Sequence, residues 1–457
     1  MMTLLAIRNF LYKPWRSALL FFGFGLGVSV MIILLSIGDA MVVQSEQERL
    51  VGGGSITVLP EGIDIEVMKT GGLGGLFFSI ANARFLNLQL LGAPRLAPLV
   101  RAVAPQIDEQ LVYLRTGDGV ERPVRASADI PSAQRAVGAA PALAAGPWVD
   151  DSADRRWAAP TAAELENDID HFHMPPAGAA GVETWAEWHY FNLVSPDRQR
   201  WAFITLMVAG KDLHGQVLIT THEQVGGRDR QRRFTVTVPP SEVRFSTTAA
   251  ELHVGASSVE VRPDGRYVVH AVAQGIVVDL VVTPARGAYF PGSNIVAGEF
   301  VSGYTVPALR ADASGTICID TTCEAWQDVQ SYHDHNWGIW RGVTWDWGAA
   351  RVGQYTVLYG RVQPPDSVAA TAPLFVYVVD ALGFRTLFRP QRIVYDSPGH
   401  AVMTDIRGAD TLRLDIDVEA ETETPMRGRR FVQMKGRARL SGGTLSGEGT
   451  GFFETWR

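Results

Sequence analysis

QSYHDHNWGIW, residues 330–340, sets two histidines, one acid, one tyrosine and two tryptophans within a single short run. It can be a metal site, an acid–base site or the crowded seam of a β-barrel, and the choice decides how the C-terminal half folds. In a β-strand side chains alternate between faces, so Tyr332 and Asp334 share one face and His333 and His335 the other. The two histidines and the acid between them cannot converge on one ion without a bulge, which argues against a metal. If Tyr332 and Asp334 face an apolar barrel interior, burial disfavours the carboxylate and leaves Asp334 a protonated acid near neutral pH. Such an acid can protonate an isolated C=C bond, and the aromatic faces of Trp326 and Trp337 are candidates to stabilise the resulting cation. Two plainer roles stay open. The block could hydrogen-bond and fill a junction between barrels, or it could orient a bound ligand without chemistry.

Outward from this block the chain reads as strands. WAFITLMVAG, GQVLITTHEQV, RRFTVTVP, YVVHAV and IVVDLVVTP precede it, and QYTVLYGRVQ, LFVYVVD, LRLDIDVEA and RFVQMKGRARL follow, separated by Gly, Pro, Asp and Asn. Short strands at intervals near ten residues indicate antiparallel barrels or sandwiches, and about 275 residues of them suffice for two barrels. Gly447, Gly449 and Gly451 fall on one face, a pattern that permits close backbone approach. Cys318 and Cys323 are the only cysteines. Their spacing suits a hairpin tip, where they close a disulfide in an oxidising compartment or remain two free thiols. Residues 128–180, rich in Ala, Pro and Gly, read as a loose connector with one short helix near TAAELENDIDHF, and His171 and His173 within it as exposed polar residues.

The N-terminus is the most legible part. Ser17–Gly38 is a run of 22 residues without a charge, which as a helix spans roughly 33 Å, enough for a bilayer core. Arg8, Lys13 and Arg16 precede it and Asp39, Glu46 and Glu48 follow. That asymmetry predicts a single-pass anchor in the inner membrane, with the N-terminus in the cytoplasm and the body outside; a cleaved signal peptide is the rival. A net charge of −7 gives no reason to bind nucleic acid.

Two resemblances add to this. LLAIRNFLYKPWRSALLFFGFGLGVSVMIILLS and VGGGSITVLPEGID resemble the start of MacB/FtsX-type ABC transporter permeases over about residues 1–92, which implies an ABC ATPase or permease as partner. No second span follows, so the chain alone is not a transporter; GGLGGLFFSIANARFLNLQLLG, residues 71–92, comes nearest and could instead lie on a membrane or dock on a partner. ETWAEWHYFNLVSP at 183–196, YHDHNWG at 332–338 and GEGTGFFE at 447–454 resemble the tandem-lipocalin family of hydroxyneurosporene synthase (carotenoid 1,2-hydratase) and AttH-like proteins, over about 181–457. That resemblance implies two lipocalin-like barrels and places the proton donor of a hydration on Asp334. Two departures stand out. His189 occupies the place of a second Trp, and the stretch from Tyr304 to Cys323 lacks the His-x-Trp pair that helps shape the hydratase pocket.

The expectation is therefore a mainly β protein of two consecutive lipocalin-like antiparallel β-barrels, residues 181–303 and 304–457. They follow an anchor over 1–45, an extracytoplasmic α/β segment over 46–127 and the connector. Asp334 and Tyr332 are the candidate catalytic pair, and Trp326, Trp337, Glu187, Trp188 and His189 the candidate ligand-binding residues, although Glu187 and Trp188 also suit a barrel-closing pair. The ligand class is apolar: an isoprenoid, lipid or polyketide. A hydratase or isomerase, a lipid-handling ABC subunit and a pericyclase-like scaffold are the three readings. No metal or other cofactor is implied.

Overall fold

A computed structural model of the chain describes residues 14–47, 56, 58, 80–117, 119–138, 148–297, 300–368, 373–397, 399–407, 410–426 and 429–456. It divides into two compact units, Met1–Phe77 with Ala102–Asp150, and Phe78–Arg101 with Asp151–Arg457.

In the first unit a helix runs over Pro14–Gln47. Its Pro14–Ser36 portion has a mean hydropathy of 2.6 and no buried residues, and is long and apolar enough to cross a membrane. Phe21, Phe22, Phe24, Leu34 and Leu35 all point outward, as on a helix with no protein core to serve. The unit also holds a hairpin, β1 (Gln106–Arg115) and β2 (Glu121–Asp129), and a short helix Pro131–Ala136. The strand expected at VGGGSITVLP lies almost entirely outside the described residues.

The second unit is mainly antiparallel β. Its first sheet has 12 strands: β3 (Trp185–Val194), β4 (Arg200–Ala209), β5 (His214–Val225), β6 (Arg228–Val238), β7 (Val243–Phe245), β8 (Leu252–Val254), β9 (Ser257–Val261), β10 (Tyr267–Ala273), β11 (Ile276–Pro284), β12 (Phe290–Ala297), β13 (Phe300–Ile319) and β14 (Thr322–Ile339). The spatial order 6-5-4-3-14-13-11-10-9-8-7 curls into a nearly closed barrel, with β12 pairing the first part of β13. Its ends meet through side chains: a Cβ on Gly215 would lie within 2.8 Å of Val238, Val243 and Val254. The second sheet has nine strands: β15 (Thr344–Val352), β16 (Tyr355–Gln363), β17 (Phe375–Asp380), β18 (Gly383–Phe388), β19 (Ile393–Ser397), β20 (His400–Arg407), β21 (Asp410–Met426), β22 (Arg429–Gly442) and β23 (Leu445–Trp456). This half-barrel has the order 18-17-16-15-23-22-21-20-19. The architecture is that of tandem lipocalin-like barrels.

The first barrel is longer than the texture of the sequence suggested. Residues 304–339, expected in the second barrel, form β13 and β14 and pair with β11 and β3 in the first sheet. The connector is also partly a barrel element. Helix Ala162–Asp170 starts at a capping box, with Thr161 and Glu164 each bonding the other's backbone N–H. It is tied to the barrel by Tyr267 Oη donating to Glu166 and by Asn167 accepting from the Ala250 N–H. Phe172, just beyond it, is buried in the barrel core with Phe191, Leu206, Ile219 and Tyr267. Residues 80–92, expected on a membrane or a partner, form a helix of this same unit. Its Arg84 bonds Asp168 at 2.5 Å and the carbonyls of Arg156 and Trp157, while Phe85 packs edge-on against Tyr289 at 4.1 Å.

Alternation creates two distinct interiors. Inward faces of the first sheet enclose a core that includes Phe191, Ile204, Leu206, Tyr267, Val278 and Trp326. Outward faces of β3, β4 and β14 pack on β15, β16, β17 and β23 to form an aromatic seam of Tyr190, Phe203, Tyr304, Tyr332, Trp347, Phe375 and Phe452.

Candidate functional site

β14 contributes to both interiors because it pairs with β3 in unbroken register from Gln330–Val194 to Ile339–Trp185. Tyr332 and Asp334 enter the seam, not the barrel interior that the acid–base reading supposed, and His333 and His335 enter the barrel. The expected ligand residues divide in the same way. Trp188 lies on the seam side, 4.7 Å from Trp340. Glu187, His189 and Trp337 lie on the barrel side, where Trp337 stacks on His173 at 4.0 Å. Trp326 is brought to neither group. Asp328 takes a left-handed conformation (φ 48°), and the β13–β14 register jumps from Ala313–Val329 to Gly315–Trp326. This bulge reverses the alternation and sends Trp326 into the barrel core under the Arg200 guanidinium, 5.3 Å from its ring. At the tip of this hairpin Cys318 and Cys323 face each other and form a disulfide.

In the seam the Asp334 carboxyl is 3% exposed. It accepts from Tyr332 Oη at 2.8 Å, from Asn336 Nδ2 at 2.7 Å and from Trp347 Nε1 at 3.1 Å; Trp347 also donates to Tyr332 Oη at 2.9 Å. All three donors are neutral. Burial outweighs them and pushes the Asp334 pKa up to about 6. A second acid, Glu454 on β23, accepts from Trp345 Nε1 and Gln433 Nε2, both at 3.0 Å. Burial and the nearby Asp334 charge push it up to about 7. The last strand read only as a glycine pattern, so nothing in the sequence singled out Glu454; its neighbours Trp345 and Gln433 are supplied by two other strands.

A void of about 10 Å³ lies beside Tyr332 and Phe452, lined also by Asn192, Gln330 and Arg351, enough for one water. Gln330 and Arg351 also line a crevice of about 170 Å³ between Ser195, Arg198 and Thr450. Asp334 lines neither space; its partner Tyr332 borders the smaller one, and Gln330 and Arg351 border both.

The raised acids have a measurable sign. Between their ordinary values and about 6 and 7, folded Asp334 and Glu454 hold protons that the unfolded chain has shed. Their stabilising contribution is complete at acid pH and is lost as pH rises through 6 and 7. Glu454→Gln should remove one of these losses. Urea unfolding at pH 5 and pH 8 should show the variant losing about 2.5 kcal/mol less than wild type between the two. Equal losses would mean that Glu454 is solvated in the folded protein.

The barrel side holds a cluster that the sequence did not reveal. Asp170, fully buried, lies 3.0 Å from His333 Nε2, 2.9 Å from His335 Nδ1 and 3.6 Å from His189 Nδ1. Glu187 receives the backbone N–H and Nδ1 of His173, each at 2.9 Å. His173 is therefore half-buried and engaged, correcting its reading as an exposed residue. Burial pulls His335 down, but Asp170 and Glu187 prevail and hold it at about 9.

No family model matches the chain, and no curated protein matches it. Among solved structures it is similar to an AttH candidate from Nitrosomonas europaea, at 14% identity over 62% of this chain and 97% of that one, with a TM-score of 0.43. It is similar to CghA in complex with Sch210972 at 12% identity over 63% and 93%, TM-score 0.46. It is also similar to kievitone hydratase from Nectria haematococca at 13% identity over 63% and 93%, TM-score 0.39. At these values the likenesses carry no argument about activity, and none of them supports the permease resemblance of residues 1–92.

Proposed function

We propose that the seam binds an apolar, unsaturated small molecule and that Asp334 acts on it as a general acid, making the chain a hydratase or isomerase of a C=C bond. The observation that carries this reading is a buried carboxyl that accepts only from neutral donors, set among aromatic rings and raised to about 6. Asp334 gives its proton to one alkene carbon, and the cation formed on the other is stabilised by the faces of Tyr304, Trp347 and Phe452. Water held in the void beside Tyr332 then adds to the cation, and its surplus proton returns to Asp334, so the net change is addition of one water. Loss of a different proton from the cation gives the isomer instead. The exposed apolar helix Pro14–Ser36 supports a membrane anchor that would hold the barrels near lipophilic substrates.

The test begins with the purified full chain, extracted into organic solvent and analysed by mass spectrometry. An unsaturated apolar molecule is expected, together with its hydrated form after incubation. Recovery of polar molecules only, or of nothing after incubation with polyene and terpenoid mixtures, would remove the reading.

A further inference from the structure

The histidine cluster inside the first barrel is separate from the seam and plays no part in the chemistry proposed there. We infer that Asp170, His189 and His335 form a binding site for a divalent transition-metal ion of the zinc class, oriented by His333 and Glu187. The ligand atoms of the three lie within 4.8 Å of one another, and all three side chains are fully buried. A carboxylate with two imidazoles is a donor set that zinc and its neighbours favour.

The hydrogen bonding around Asp170 sets one lone pair against another. His333 Nδ1 lies 3.0 Å from the Tyr190 carbonyl, which can only accept, so the ring proton belongs there. In the neutral ring Nε2 then turns a lone pair toward Asp170 Oδ2, 3.0 Å away. His335 faces the other oxygen and has a carboxylate at each of its ring nitrogens. Its Nδ1 is 2.9 Å from Asp170 Oδ1 and its Nε2 is 2.9 Å from Glu187, close enough for an ion pair though off the N–H line. A cation at Asp170 would relieve the His333 contact and would let His335 bind through Nδ1 while its Nε2–H turns to Glu187. Charging both rings is the alternative, and it would place two imidazolium groups beside a third histidine in a pocket walled by Phe172, Phe191 and Tyr267. One divalent ion would instead neutralise the carboxylate that both rings face.

His189 is the independent observation. It is fully buried, and its Nδ1, the nitrogen that faces the site, stands 3.6 Å from Asp170, too far for a hydrogen bond. That nitrogen is 3.4 Å from His333 Nε2. Ligand atoms arranged tetrahedrally around zinc at about 2.0–2.1 Å are roughly 3.3 Å apart; here His335 Nδ1 lies 2.9 Å from Asp170 Oδ1 and His189 Nδ1 3.6 Å from Oδ2, so each ring faces its own carboxylate oxygen. Asp170 is also the last residue of its helix, where the helix dipole disfavours an anion and favours a cation. Glu187, beside the outer nitrogen of His335 and fixed by His173, occupies the position of the carboxylates that orient metal-bound histidines. With every donor closed off from solvent, the site is structural: it joins the helix Ala162–Asp170 to β3 and β14.

The experiment uses the full chain purified in detergent, stripped with chelator and titrated with Co²⁺ alone, followed by displacement with Zn²⁺. Visible absorption and elemental analysis should show one ion per chain. Asp170→Asn and His189→Ala should weaken binding at least ~100-fold, and Glu187→Gln by about 10–100-fold. Asp334→Asn, on the opposite face of β14, should bind as wild type. Wild-type protein with an intact β-sheet circular dichroism spectrum that takes up neither ion would overturn the inference and leave a proton-filled network. Loss of the metal in Asp334→Asn would overturn it as well, since the ion would then sit elsewhere.

Discussion

Asp334→Asn is expected to lower turnover of the unsaturated ligand by roughly 10²–10⁴-fold, the usual worth of a positioned general acid, while leaving the fold intact. The substitution keeps the shape of the side chain. An amide oxygen turned toward Trp347 Nε1 still accepts its bond, Tyr332 Oη can rotate, and Asn336 can turn its own carbonyl toward the new NH₂ group. What disappears is the transferable proton. Substrate affinity should stay within a few-fold, because the lost interaction is made in the transition state. Wild-type activity should be level below the Asp334 pKa of about 6 and decline about tenfold per pH unit above it. The measurement is formation of the hydrated product by mass spectrometry across pH 4.5–8.5. A variant that converts substrate at the wild-type rate would leave the seam as a binding site without acid chemistry.

Gly449→Ala should destabilise the second sheet by more than about 3 kcal/mol, at the upper end of overpacking effects. A Cβ at Gly449 would lie 1.5 Å from the Arg351 carbonyl oxygen, and those at Gly447 and Gly451 would lie 2.4 and 2.1 Å from the carbonyl oxygens of Val352 and Ala349. All three contacts are with the backbone of β15, which cannot step aside without breaking its pairing with β16. Because β15 carries Trp347, the shift should also disturb the donors around Asp334. Denaturant unfolding followed by tryptophan fluorescence gives the comparison. Gly117→Ala, which meets nothing within 4 Å, serves as the control and should change stability by less than about 0.5 kcal/mol. Similar midpoints for the two variants would show that β23 does not press on β15 as closely as described.

The parts of this molecule that could be read from the sequence are those governed by local periodicity. Alternation over residues 330–339 holds because that stretch pairs with β3 without a bulge, so Tyr332 and Asp334 could be placed together and apart from the histidines. The same rule fails at Trp326, where a single left-handed residue, Asp328, reverses it. Asp170 was out of reach for a different reason. It ends a short, highly charged helix in an Ala- and Pro-rich passage, and the histidines it meets are 163 and 165 residues away. Alternation correctly kept the histidines from converging on Asp334. It could not indicate that an acid from a distant helix would occupy the space between them. Barrel limits were blurred by the length of β13 and β14, 20 and 18 residues against a usual strand of about five or six. The hairpin serves the barrel and the seam together, and β13 runs unbroken through residues 303 and 304, the expected boundary.

That hairpin makes β14 a shared wall. A pleated ribbon has only two sides, and here each side is committed, one to the acid of the seam and the other to the imidazoles of the barrel. A slip of one residue would exchange the two sets in a single step, so neither can be altered by shifting the backbone without displacing the other. A ligand that wedges the seam apart would press on the strand that holds the histidines, and a stiffened histidine cluster would resist the wedge. Two chemistries with no residue in common would then be coupled mechanically through the peptide backbone between them.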